Sequence, residues 1–99
     1  MMFLTTPSHG YLVVPKDKFF PVYEQMTSEQ QNKYGYGYAD FNNVYLEEDC
    51  EASEYIKMTG IKLGEIEDHY TESFDVARNG NMIFNHQPLY HLSEVLNQS

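Results

Sequence analysis

Apolar and polar positions along the chain follow two different periods, and the changes between them mark the elements. Gly10 to Val14 is an unbroken, β-branched apolar run stopped by Pro15, which predicts a buried strand. Phe19, Phe20, Val22, Tyr23 and Met26 are spaced for one helical face, and Pro21 has to begin or break that helix. A helix over 21–32 with Pro21 in its first turn satisfies both. Tyr34-Gly35-Tyr36-Gly37-Tyr38 then alternates strictly. As a strand it places three tyrosines on one face and bare glycine backbone on the other, with something packed close to those glycines or a bend there. Turn-forming Asp40 to Asn43 and the resumed strand Val44-Tyr45-Leu46-Glu47 make 34–47 a hairpin.

Beyond Asp49, the period becomes helical. Ala52, Tyr55, Ile56 and Thr59 form one face, Asp49 caps the start and Gly60 ends the helix. A short helical piece is expected within 61–71. Asn79-Gly80 between two apolar segments predicts a second hairpin, and Pro88 opens a last helix whose Leu89, Leu92, Val95 and Leu96 face the core. The sum is a single α+β domain over 1–99, with a small, mainly antiparallel sheet of about five strands and two to four helices packed on it.

Composition fits that picture. Ninety-nine residues make one domain with room for one core and little else. Nine Tyr and six Phe with no Trp favour half-exposed surfaces and interfaces, because tyrosine combines an apolar body with a polar tip. The lone Cys50 leaves no internal disulfide. Together with the absence of a basic, apolar leader or a membrane-length run, it points to a reducing cytoplasm.

Charge sharpens the picture most. The net charge of −9 disfavours direct binding to nucleic acid or anionic membrane. Residues 40–75 hold eleven acids against Lys57 and Lys62, while both flanks are neutral, so this one stretch carries the whole imbalance.

Chemistry-bearing motifs are sparse. Cys50 lies among Glu47, Glu48, Asp49 and Glu51, which disfavour the thiolate and disarm it as a nucleophile. His9, His69, His86 and His91 form no zinc spacing, and Glu65, Asp68 and His69 share a face only if 61–71 is helical. No phosphate-binding glycine motif or nucleophile elbow is present, so no catalytic, cofactor or metal residues are assigned and a non-enzymatic role is expected.

Two segments carry a family likeness: Thr5-Thr6-Pro7-Ser8-His9-Gly10-Tyr11-Leu12-Val13-Val14-Pro15, and Val44-Tyr45-Leu46-Glu47-Glu48-Asp49-Cys50-Glu51-Ala52. Together they resemble a family of small uncharacterised bacterial and phage proteins with a TPxHGYLxVP-like start and a VYLEEDCD-like block, where Glu51 stands in place of Asp. The resemblance covers about a fifth of the chain. It implies a bacterial or phage setting, supplies no mechanism, and marks His9 and the 44–50 carboxylates as neighbours.

The expected partner-binding surface is therefore Tyr34, Tyr36, Tyr38 and Tyr45 beside Glu47, Glu48, Asp49, Glu51 and Glu54. Tyrosines anchor interfaces, and a dense anionic patch steers association with a basic protein surface. An inhibitor that mimics nucleic acid is the most specific form of this reading. A regulatory or ligand-binding domain with a pocket around His9, Tyr11, Tyr45 and Asp49 is the alternative, and a hydrolase or transferase with His9 as base is the third. Exposed tyrosines and a free sheet edge would also suit a homodimer.

Overall fold

A computed structural model describes residues 1–7, 9–49, 51–70, 75–76, 82–84 and 87–96, with side chains described for all of these except 75–76, 82–84 and 87–89. In chain order the elements are β1 (Met2–Thr5), β2 (Gly10–Pro15), α1 (Lys16–Glu24), α2 (Ser28–Gln31), β3 (Tyr38–Ala39), β4 (Asn43–Glu47) and α3 (Glu51–Thr59). A 3-10 turn (Leu63–Glu65) follows, then β5 (Glu67–Tyr70), β6 (Asp75–Val76), β7 (Met82–Phe84), β8 (Gln87–His91) and α4 (Leu92–Leu96). The strands lie in the order β5-β1-β2-β4-β3-β8-β7-β6. Neighbours are antiparallel except β1 and β5, so the α+β fold is built on a mixed, mainly antiparallel sheet with more strands than the sequence pattern reveals.

Both faces of the central strands are covered, as the GYLVV run requires. On the helix side, Leu12, Val14, Ala39, Val44 and Leu46 meet Phe19, Tyr34, Ala52, Tyr55, Leu92 and Leu96. On the far side, Leu4, Tyr11, Val13 and Tyr45 form a second buried cluster joined by Met2 and Tyr38. Phe19 is the hub of the helix side. Its ring lies 5.5 Å from Phe20, 5.7 Å from Tyr23, 5.8 Å from Tyr34 and 5.9 Å from Tyr55, centroid to centroid.

The 21–32 helix is in fact two helices. Pro15 (φ −56°, ψ 139°) ends β2 and serves directly as the residue before α1, whose Lys16 N–H is taken by the Asn42 carbonyl at 2.9 Å. Pro21 therefore lies inside α1, on its exposed side. Its ring nitrogen gives up one helical hydrogen bond, and α1 ends soon after at Gln25. Thr27 starts α2 with a capping box: its Oγ1 accepts from Gln30 N–H at 3.2 Å, and its own N–H donates to Gln30 Oε1 at 2.9 Å.

The last predicted helix begins later than Pro88, which sits in β8. There β3 pairs with Tyr90 and His91 while β7 pairs with Gln87, Pro88 and Leu89, so at Pro88 the ladder runs on one side only and the missing N–H is tolerated. The short helical piece expected within 61–71 is the 3-10 turn Leu63–Glu65, and β5 follows it over Glu67–Tyr70. Asp68 and His69 consequently project to opposite faces of a strand and share no helix face with Glu65. Helix α3 has its expected face and end, with Ala52 and Tyr55 buried and Gly60 at φ 70° receiving the chain as it leaves the helix, while its start lies at Glu51. The Asn79-Gly80 turn, Cys50 and His86 lie outside the described residues. Among the described residues, no helix is long and apolar enough to cross a membrane.

Candidate interaction surface

The Tyr-Gly-Tyr-Gly-Tyr segment is not an extended strand. Gly35 takes φ 126°, in the region that excludes side chains, and the backbone turns there, leaving only Tyr38–Ala39 in the sheet. Gly37 is needed for a different reason. A Cβ on it would collide with the Tyr45 carbonyl oxygen and lie 2.8 Å from Glu51 Oε1. The expected close approach to glycine backbone is thus present at Gly37, and its partner is the strand β4 backbone.

What turns this loop inward is Glu51. Its side chain has no exposed surface, at the first position of α3. Oε2 accepts the N–H groups of Gly35 (2.5 Å) and Tyr36 (3.0 Å), Oε1 accepts that of Glu47 (3.4 Å), and the Gly37 N–H also donates to the carboxylate. Consecutive backbone N–H groups converging on an anion form a nest, here filled by the chain's own carboxylate. Burial pushes the Glu51 pKa above its ordinary value, while the N–H bonds from Gly35, Glu47, Tyr36 and Gly37 pull it back. Among the described residues, no cation forms an ion pair with it.

Glu51 is therefore removed from the expected partner-binding set, because a carboxylate enclosed by backbone cannot meet a partner. Tyr34 (7% exposed) and Tyr45 (1%) leave it too. Tyr34 packs on Phe19 and Tyr23, and its buried hydroxyl has no hydrogen-bond partner among the described residues. Tyr45 donates to Asp40 Oδ2 at 2.6 Å, while Asp40 Oδ1 accepts from the N–H groups of Asn42 and Asn43, so Tyr45 pins the β3–β4 turn. A signal for Glu51 existed in the sequence. It lies four residues before Tyr55 and next to Ala52, on the apolar stripe of α3, whereas Glu48 and Asp49 precede the helix.

The remaining members stay accessible. Tyr36 is 65% exposed, Glu48 and Asp49 are exposed, and Tyr38, Glu47 and Glu54 are half-buried. Their carboxylates do not all face one way. Glu47 is paired with Tyr11 and shares the far side with it. Glu48 lies over Gly10 on the helix side, its N–H on the Gly10 carbonyl at 3.0 Å. Glu54 extends toward Lys33 at 3.9 Å. The acids of β5 are three strands away from β4, on the order of 14 Å at ordinary strand spacing, and form a separate group.

Among the described residues, the alternative pocket's side chains are not gathered around one of the described grooves. His9, Tyr11, Tyr38 and His91 form a row of rings along the far side, with centroids 6.3, 6.0 and 5.4 Å apart. Tyr45 is occupied by Asp40, and Asp49 lies past the end of β4. Grooves of about 520 and 480 Å3 flank Pro21 and Val22 in the helix layer, and none of those pocket residues lines either one. Among the described residues, no three His, Cys, Asp or Glu side chains are grouped to hold a metal ion.

The buried tyrosines give the molecule a defined alkaline limit. Burial, helped by Tyr38 and Glu47, pushes Tyr11 up to about 12, and burial likewise raises Tyr34, Tyr38, Tyr45 and Tyr55 above 10.0. Unfolded tyrosines ionise first, at about 10, so stability holds below that pH and falls as pH rises above it. A titration at the tyrosinate band should show part of the nine tyrosines ionising only in a cooperative step that coincides with loss of circular dichroism. A single step for all nine near pH 10 with unchanged dichroism would contradict this.

No protein-family model matches the chain, and neither a curated protein nor a solved structure is significantly similar to it.

Proposed function

We propose that this is a non-enzymatic interaction protein that binds a basic protein surface through Tyr36, Tyr38, Glu47, Glu48, Asp49 and Glu54. The observation that carries the reading is the shared carboxylate of Glu51, which takes N–H groups from both the Tyr36 loop and Glu47. It ties the backbone of the exposed Tyr36 to that of Glu47, the first of three consecutive acids, which would combine an anchor with an electrostatic guide. In its most specific form the partner is a nucleic-acid-handling protein of a bacterial host, whose Lys and Arg side chains accept these carboxylates in place of phosphates. A phage or mobile-element origin and a cytoplasmic location belong to the same reading.

Capture on the immobilised protein from bacterial lysate, followed by purification of what binds, provides the test. Affinity for the purified partner should fall at least about tenfold between low and high salt, because screening shortens to a few ångströms near 1 M. The triple variant Glu47→Gln, Glu48→Gln, Asp49→Asn should weaken binding by about threefold to a hundredfold, three rim charges at ~0.2–1 kcal/mol each. Neutralising Glu67 and Asp68 on β5 should leave it unchanged. Salt-independent affinity, or an unaltered triple variant, removes the proposal.

A further inference from the structure

The Tyr34–Gly37 loop is unusual in what holds it. Three consecutive backbone N–H groups and that of Glu47 point at one buried carboxylate, and no cation among the described residues pairs with it. On its other side, Gly35 approaches Ser93 of α4, and a Cβ there would be 3.5 Å from the Ser93 Cβ. Remove the carboxylate, and four donors are left facing a void with no acceptor. Backbone nests bind small anions without regard to which molecule supplies them.

The geometry points to an anion-binding nest formed by the N–H groups of Gly35, Tyr36, Gly37 and Glu47, with Glu51 as its internal carboxylate ligand and the positioning residue of the Tyr36 loop. Occupancy of the nest, rather than the α3 backbone itself, then fixes where Tyr36 stands relative to Glu47, Glu48 and Asp49. The consequence for recognition rests on the interaction reading above, whereas the nest does not.

The test is chemical rescue of Glu51→Ala in the full chain, with sodium formate as the probe and sodium chloride at equal ionic strength as the control. Amide exchange of Gly35, Tyr36, Gly37 and Glu47 is read without any partner. In Glu51→Ala these amides should exchange at least about tenfold faster than in the wild type, and formate should restore protection while chloride does not. Glu51→Gln should not respond to formate, because its amide occupies the same space. Amides of Leu12 and Leu46 in the central strands report whether the variant is folded. If Glu51→Ala is unfolded in buffer, formate should raise its melting temperature or fold it at low temperature. Wild-type protection in Glu51→Ala, equal effects of formate and chloride, or no folding in formate would each overturn the nest. Restored amide protection with no effect on partner capture would leave the nest standing and overturn only the interaction reading.

Discussion

Glu51→Gln should destabilise the fold by about 3 kcal/mol, although it removes a single charge and alters no volume. The carboxylate presents only acceptors, and four N–H groups face it. A primary amide presents one acceptor and one donor group. Its best orientation keeps the oxygen on Gly35 and Tyr36, which leaves the NH2 opposite the N–H of Glu47 and beside Gly37. Two buried donors then lack partners, at about 1–3 kcal/mol each. Relief of burying a charge offsets part of that loss, since burial is what raises the Glu51 pKa. Denaturant unfolding followed by circular dichroism measures the difference, with Glu54→Gln, at a half-buried position, as the control, expected within about 0.5 kcal/mol of wild type. Equal midpoints for the two variants would mean that the nest bonds contribute nothing net.

Glu51 also shows where sequence reading reaches its limit. Composition cannot separate it from Glu47, Glu48 and Glu54, since all four are acids in one acidic run. Helical phase separates them, and only once α3 is known to start at Glu51 rather than at the Asp49 cap. Elements with strong periodicity were legible: β2 from Gly10 to Val14, β4 from Val44 to Glu47, and the apolar stripe of α3. Strands β1 and β5 were not. Met2–Thr5 is short, and Glu67–Tyr70 is an edge strand exposed along its length, so no alternation marks it. The tyrosine-glycine repeat was misleading for a physical reason. Alternation is the signature of a strand, but glycine supplies no β preference, and its freedom at Gly35 lets the nest bonds to Glu51 choose a turn instead. Of the expected surface, the acids Glu47, Glu48, Asp49 and Glu54 and the tyrosines Tyr36 and Tyr38 remain available, because contacts made across the fold claimed the other three.

Gly37→Ala should be the most damaging glycine substitution in the chain's described part, at about 3 kcal/mol or more. The added methyl would meet the Tyr45 carbonyl, a backbone atom of a central strand, and the Glu51 carboxylate at 2.8 Å. Neither can withdraw cheaply. Tyr45 is paired to Val13 and Tyr38 in the sheet and held by Asp40 through its hydroxyl, and Glu51 is enclosed by N–H groups. Moving Gly37 instead would pull its carbonyl from the Leu92 N–H at 3.0 Å, the bond that seats α4. At Gly35 an added Cβ would make only an ordinary contact with Ser93 at 3.5 Å, so Gly35→Ala suffers mainly from its positive φ, about 1–3 kcal/mol. Gly64→Ala, with nothing near its Cβ position, should be close to neutral. Thermal or denaturant midpoints of the three variants therefore should fall in the order Gly64, Gly35, Gly37. A Gly37→Ala protein as stable as Gly35→Ala would mean that β4 and the loop are not packed backbone to backbone, and the route by which Glu51 reaches Tyr36 would fail with it.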